Sequence, residues 1–597
     1  MPSKDVYILG LSFDYHDAAA ALIKNGIVIA AAHEERFTRE KQDSNLPVEA
    51  SKYCLAYADL TVDQLDYIVF YEKPLLKFER LLKTYITTWP RGFLSFVKAM
   101  LGFIKSKLWV DRRIRKALGY QGEILYTEHH YSHAASAYYC SQFKNATVVT
   151  MDGVGEFDTT TIGSGHGNKL AMEETVEFPH SLGLLYSAFT YYLGFKVNSA
   201  EYKVMGLAPY GDPEKYYPLF KELVAIEADG SFQLNMKYFS YEYGLRMTNS
   251  AFNKLFGGPP RSPESQLTQR EKDIAAALQK ITNEIVLKIV AHARAKYPSE
   301  NLCLAGGVAL NCVANGKLLD TGWFKNIYIQ PAAGDAGGSV GAALYVYYHV
   351  LGNPFPPAEP VMATAYLGPE YSTAEIKEFL TTEVKELIGD GQAVNYKEYS
   401  DSELLATVAD LITGNNVIGW FQGRMEFGPR SLGNRSIIAD ARNKENWQKV
   451  NLKIKFRESF RPFAPTVLED KAVECFALTC PSPYMLLVAP VKRADLPAIT
   501  HVDNSARVQT VNRRQNPRFY DLLDAFNKTT GCPVVINTSF NVRGEPIVMS
   551  PRDAFNTFLN TFMDYLVLGN FVISKKDNAS LVDEKKMKAY LGQFKLD

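Results

Sequence analysis

The sequence predicts an α/β protein of two domains, on three observations. Short apolar runs such as Val6–Leu9 and Asn301–Ala305 alternate with helix-length segments and glycine turns as far as about residue 350. The stretch Gly352–Pro360 carries four prolines in nine residues, which removes ladder donors and disfavours helix before each ring. The chain has 597 residues, 47% of them apolar and 12% aromatic, enough for a full core on each side of that break. The expected domains are 1–355 and 365–597.

Each element has a local reason. Asn25-Gly26 stands between the apolar runs Ala18–Lys24 and Ile27–Ala32, and both residues tolerate positive φ, so a hairpin is expected there. A comparable unit recurs at Ala146–Asp158 and suggests a duplication. Further on, a long helix (Ser265–Lys296) precedes the strand Asn301–Ala305, followed by the strand Ile327–Gln330 and the helix Ser339–Val350. The apolar segment Phe93–Val110 is interrupted by Lys98, Lys105 and Lys107 and falls short of the ~20 apolar residues that span a bilayer. It is expected to be a helix packed on the protein body, with a helix lying on a membrane surface as the alternative.

Composition narrows the function. Lys+Arg and Asp+Glu both number 65, and a zero balance argues against non-specific nucleic-acid binding. Seven scattered cysteines form no C-x-x-C pair, and the N-terminus has no basic region ahead of an apolar stretch. A reduced, cytoplasmic protein with neither nucleic-acid nor membrane partner is expected.

Three groups of residues carry chemistry. In His129-His-Tyr-Ser-His133, the outer histidines are four apart and share a helix face, forming either a metal half-site or two ordinary helix-face imidazoles. Glycine-rich strand ends recur at Gly10–Ser12, Asp152–Gly155, Ala305–Gly307 and Gly334–Gly338, two of them with aspartate. Such turns let backbone N–H groups reach phosphate oxygens and suit the phosphate clamp of an actin-like/sugar-kinase fold. No P-loop motif is present. Residues 424–461 hold ten Lys/Arg against four acids, interleaved with Gly, Pro and Phe, and read as an anion pocket rather than a solvated basic face. Asn537–Asn541 and Gly544-Glu-Pro546 add amides and a hydroxyl of the kind that line such a pocket.

These segments, with His16-Asp17, Glu34–Arg39, Lys203–Gly211, Ala305–Asn311, Gly428–Arg435 and Arg461–Pro465, stand in the order found in the NodU/CmcH-type O-carbamoyltransferases, and the chain resembles that family over nearly its whole length. Gln42 departs from it, where many relatives are expected to carry histidine. The resemblance implies an N-terminal actin-like domain similar to that of tRNA threonylcarbamoyltransferases and a C-terminal YrdC-like domain. It implies that the C-terminal domain makes carbamoyl adenylate from carbamoyl phosphate and ATP with Mg2+, through Arg430, Lys455, Arg461, Arg507 and Ser539. The N-terminal domain would then carbamoylate a hydroxyl of a small-molecule secondary metabolite. There the resemblance implies a metal set of His129, His133, Asp152 and Asp335, holding Fe(II), and nucleotide contacts from Gly153, Gly155, Gly306, Gly307 and Asn311. The acceptor hydroxyl needs a base, and His16 at the first strand end is the candidate, with a supporting hydrogen-bonding role as the alternative. A homodimer is the candidate assembly.

Competing readings are a tRNA threonylcarbamoyl-modification enzyme, a hydrogenase-maturation carbamoyltransferase and a non-transferring actin-like ATPase. Neutral charge and the aromatics Tyr85, Trp89, Phe93 and Phe96 weigh against the first, the missing C-x-x-C fingers against the second, and the basic C-terminal stretch against the third.

Overall fold

The computed structural model describes residues 5–389, 391–458 and 460–594. The chain forms two compact units. The first holds the residues up to Glu35 and Gln42–Ala363; the second holds Arg36–Lys41 and the chain from Thr364 onward.

The first unit contains the same five-stranded sheet twice. In one copy β1 (Tyr7–Ser12), β2 (Ala19–Lys24) and β3 (Ile27–His33) run antiparallel, and β4 (Tyr67–Phe70) and β5 (Glu123–Tyr126) add in parallel on the far side of β1, giving the order 3-2-1-4-5. In the other, β6 (Asn145–Met151), β7 (Asp158–His166) and β8 (Lys169–Glu177) make the meander. A small pair, β9 (Val224–Ile226) and β10 (Phe232–Leu234), intervenes before β11 (Asn301–Ala305) and β12 (Asn326–Ile329) join parallel to β6. This repeated order is that of the actin-like/sugar-kinase fold. The β2–β3 turn is Asn25-Gly26, both at positive φ.

Between the sheets lie two helices, His129–Ser141 after β5 and Asp335–Leu344 after β12, packed on each other and nearly wholly buried. Their contact explains the glycines of the second. A Cβ on Gly341 would meet the carbonyl oxygen of Ser132 at 1.7 Å, and one on Gly338 would meet the Tyr71 ring at 2.7 Å. The segment Gly334–Gly338, expected as a glycine turn, is therefore largely the first turn of a helix. The expected helix Ser339–Val350 begins earlier, at Asp335, and passes into a wider turn at Tyr345–Val350. The long helix runs Gln269–Lys296 behind a Thr268/Glu271 capping box.

The proline-rich stretch does not hang free. Phe355 packs among Tyr138, Tyr139 and Tyr348, and the Val361 carbonyl accepts from Val28 N–H at 2.8 Å, fastening the stretch to the first unit. The helix expected over Phe93–Val110 packs on one side, through Phe96 against Tyr85, and is divided in two. Helix Phe93–Gly102 buries none of its residues, and a wide turn at Phe103–Lys107 separates it from helix Val110–Leu118. No helix among the described residues is long and apolar enough to cross a membrane.

The second unit is built on a nine-stranded sheet. Its strands are β13 (Lys397–Glu398), β14 (Ile418–Phe421), β15 (Arg435–Asp440), β16 (Ala464–Leu468), β17 (Leu487–Pro490), β18 (Ser505–Val511), β19 (Val534–Ser539), β20 (Tyr565–Leu568) and β21 (Phe571–Ser574). They are arranged 13-21-20-14-15-19-16-18-17, mixing parallel and antiparallel pairs. Strands β14, β15 and β16 are buried along their length, as strands covered on both faces should be.

Candidate functional site

In the first unit four side chains converge at the ends of the two central helices. His129 and His133 lie one turn apart on one helix, their Nε2 atoms 3.1 Å from each other. Asp152 follows the last residue of β6, and its Oδ2 is 3.3 Å from His129 Nε2 and 3.9 Å from His133 Nε2. Asp335 opens the other helix, with Oδ1 3.7 Å from both imidazoles. One donor atom from each of the four lies within 4.8 Å of every other. Two imidazoles and two carboxylates this close suit a divalent transition metal, and Asp335 Oδ2, buried without a hydrogen-bond partner, fits that use.

The surroundings hold the donors in place. Gly307 N–H donates to Asp152 Oδ1 at 2.7 Å. Glu156 accepts from the N–H of His129 at 3.0 Å and of Lys73 at 2.7 Å. Glu72, at the end of β4, ion-pairs with Lys77 at 2.7 Å and reaches to 3.8 Å from His129 Nδ1. Burial alone would raise the Glu72 pKa, but Lys77 and His129 hold it down at about 2. Burial likewise opposes charge on His129 and Asp152, yet their mutual contact holds the imidazole well above its ordinary pKa and the carboxyl well below. His130 points elsewhere, its Nδ1 2.6 Å from Thr150 Oγ1, and burial among the other two imidazoles keeps it neutral.

His16 sits beside this cluster, with Nε2 3.9 Å from Asp335 Oδ2 and Nδ1 3.0 Å from Asp17 Oδ2. Burial pulls its pKa down, but Asp335 and Asp17 outweigh that and lift it to about 9. With the carboxylates carrying their charge, the ring is protonated at neutral pH.

The glycines divide into two kinds. A Cβ on Gly306, at φ 89°, would meet the Met151 carbonyl oxygen at 2.2 Å, and one on Gly155 would meet His129 Cβ at 2.9 Å. Both are glycine because the chain closes tightly around the cluster. Gly153 faces open space within 4 Å, and Gly307 meets only the Asp152 carboxylate. Asn311 caps the helix Cys312–Asp320 and exchanges amide hydrogen bonds with Gln279 at 3.1 and 3.2 Å.

The second unit brings Lys455 and Ser539 together. The buried Lys455 amine donates to the Ser539 carbonyl, to Ser539 Oγ at 3.0 Å and to Asn541 Oδ1 at 2.6 Å. Burial pushes its pKa well below the lysine range, and the nearby cations Arg457, Arg461 and Lys41 push the same way. Arg461 and Arg543 both approach Glu458, at 3.6 Å each. Arg507 lies on β18 opposite Val488, with β16 between its strand and the one carrying Ser539. Arg430 belongs to the loop that enters β15.

Part of the basic stretch has a different use. Arg435 is fully buried, stacks 3.7 Å over Phe421, and donates to the carbonyls of Gln422, Gly423, Asn434, Pro369 and Met549. Arg442 is paired with Asp440 at 2.6 Å. Glu545, expected among pocket groups, is buried and accepts from Arg39, Tyr590, Thr557 and the Val542 N–H.

Residues 7–344 match the family described as "Carbamoyltransferase N-terminus", and residues 409–575 match "Carbamoyltransferase C-terminus". This chain belongs to the carbamoyltransferase family. It is 52% identical to an uncharacterized Synechocystis sp. protein over 99% of this chain and 100% of the other. It is 38% identical to the nodulation protein NolNO of Sinorhizobium fredii, over 94% of this chain and 79% of that one, which puts it with the NodU/CmcH type. A ROK hexokinase of Thermus thermophilus aligns with 59% of this chain and all of its own length, at 14% identity and a TM-score of 0.29.

Sequence reasoning on this carbamoyltransferase missed Glu72, Glu156 and Lys77. The signal existed for Glu72, an acid two residues beyond a strand end, the pattern that drew attention to Asp152. Arg39 was noted only as part of a segment. It is the anchor of Arg36–Lys41 in the second unit, donating to the carbonyls of Ile547 at 2.8 Å and Pro546 at 2.9 Å.

Proposed function

We propose that this carbamoyltransferase uses carbamoyl phosphate and ATP to carbamoylate a hydroxyl of a small-molecule secondary metabolite, with carbamoyl adenylate between its two units. The observation that carries this reading is the buried cluster of His129, His133, Asp152 and Asp335, whose donor atoms lie within 4.8 Å of one another.

In the second unit, the phosphate of carbamoyl phosphate is released by water, and an oxygen of the resulting carbamate attacks the α-phosphorus of ATP as pyrophosphate leaves. Arg461 grips the anions, with Arg430 and Arg507 as further contacts. Burial first, and then the positive charge of Arg457 and Arg461, depress the protonation of Lys455, and an anion entering there offsets the second of these and favours its ammonium form.

In the first unit, Gly153 and Asn311 hold the adenylate, with Gly307 fixing Asp152 through its N–H, while His129, His133, Asp152 and Asp335 would hold the metal, Fe(II) in this reading. A cation so placed supplies Lewis-acid polarisation of an acyl phosphate. The acceptor oxygen attacks the carbamoyl carbon, the bond to the phosphate oxygen breaks, and AMP leaves. His16 takes the acceptor proton in this scheme. Asp335 and Asp17 both favour its protonated form, so engagement of the Asp335 charge elsewhere makes it a better base.

His133→Ala tests the reading by separating the units. The variant should lose bound metal, read by elemental analysis, and lose transfer, yet release pyrophosphate from ATP and carbamoyl phosphate as the wild type does. Full metal occupancy in the variant, or pyrophosphate release that falls together with transfer, would overturn it.

A further inference from the structure

One surface of the first unit is not used by any of this chemistry. Helix Pro74–Thr88 and helix Phe93–Gly102 form a hairpin whose inner side is closed by ring contacts, Tyr85 with Phe96 at 4.8 Å and Phe78 with Phe103 at 5.6 Å. The outer side is bare. Leu94, Val97, Leu101 and Ile104 follow the three- and four-residue spacing of one helix face, and all are exposed, Leu94 at 82%. Trp89 and Trp109 stand exposed at the two ends of that segment, with Phe93 beside the first. The aromatics Trp89 and Phe93 thus point into solvent rather than into a cleft. A contiguous row of this kind is rare on a surface that faces only water.

Its charge is equally distinctive. From Lys83 to Lys116 there are nine Lys and Arg and one acid, Asp111, in a chain whose overall charge is zero. Lys98 and Lys105 are exposed on the same segment as the bare leucines, and Arg112 and Lys116 are exposed on the helix that follows. Lysines beside an apolar stripe, with tryptophans at its ends, match a layer that is anionic outside and apolar beneath.

We propose that the segment from Lys83 to Lys116 docks this enzyme on the surface of a bilayer containing anionic lipid, with Leu94, Val97, Leu101, Ile104 and the tryptophans entering the headgroup region and the lysines meeting lipid phosphate. The segment lies on the surface and does not span it, since no described helix is long enough. The inference is independent of the acceptor and of the adenylate chemistry.

The test is co-sedimentation of the full chain with vesicles of phosphatidylcholine, with and without phosphatidylglycerol. The protein should pellet with the anionic vesicles, and raised salt should weaken the binding. Replacing Lys98 and Lys105 with glutamine should weaken it by about fivefold per lysine. The pair Leu94→Glu and Leu101→Glu should abolish it while leaving pyrophosphate release unchanged. Wild-type protein that stays in the supernatant with phosphatidylglycerol vesicles would overturn the proposal. So would sedimentation velocity showing a dimer that the Leu94→Glu/Leu101→Glu pair dissociates, because the face would then belong to a second copy of the chain.

Discussion

Arg435→Met should destabilise the second unit rather than disable its chemistry. The guanidinium is wholly buried between the Phe421 ring and five carbonyl oxygens, with donor distances from 2.6 to 3.3 Å. Methionine keeps the stacking volume and leaves all five oxygens without this donor. The Asn434 and Pro369 oxygens still accept from the Gln422 and Met425 N–H groups, so at ~1 kcal/mol for each of the other three the loss is about 3 kcal/mol, and no longer burying a cation returns about 1–2 of that. The net cost is about 1–2 kcal/mol, which for a unit of this size lowers the melting temperature by about 5 °C. The assay is a thermal melt of the full chain, run beside Arg461→Ala, whose melt should stay within about 2 °C of wild type while pyrophosphate release disappears. An Arg435→Met protein that melts like the wild type would refute the reasoning and return Arg435 to the anion-binding residues.

His16→Asn should retain metal and pyrophosphate release but slow transfer by about 10²–10⁴-fold; a small loss confined to acceptor KM would assign it an orienting role instead. Lys575, whose amine donates to the Phe558 carbonyl and lies 3.9 Å over its ring, has a pKa lowered to about 7 by burial, against 10.5 for the ordinary group. Between those values the unfolded chain binds more protons than the folded one, so stability rises with pH there and the penalty is greatest at and below neutrality. Lys575→Met should therefore stabilise the protein at neutral pH by up to about 5 kcal/mol and flatten the slope up to about pH 10, followed by urea denaturation; an unchanged slope would refute it.

What could be read in advance was local. The Asn25-Gly26 hairpin and the strand Asn301–Ala305 follow from residue type and a short run of neighbours. The four-apart histidines were visible too, but that Asp152 and Asp335 meet them came only from the family resemblance, because those residues are 183 positions apart and come together only through the doubled sheet. The Gly334–Gly338 turn was misjudged because glycine has two uses. Composition does not distinguish a flexible loop from a helix that needs bare backbone to lie against Ser132 and Tyr71. Arg435 and Arg461 look alike in a basic run, and only the carbonyls around the first separate a structural cation from one able to meet a ligand. The exposed face of Phe93–Gly102 was only the second reading for the same reason in reverse, since an apolar helix reads as buried until its neighbours are placed.

The doubled sheet has one more consequence. His129 is the first residue of the helix after β5, and Asp335 is the first residue of the helix after β12, so the two occupy matching posts in the two halves. An ancestor with identical halves would have presented the same side chain twice across a near-symmetry axis. Here one post carries a neutral-capable nitrogen ligand and the other an anionic oxygen, so the halves have become chemically unequal while their backbones still answer to one another. Such inequality gives the cluster two unlike faces, imidazoles supplied by one half and a carboxylate by the matching post of the other.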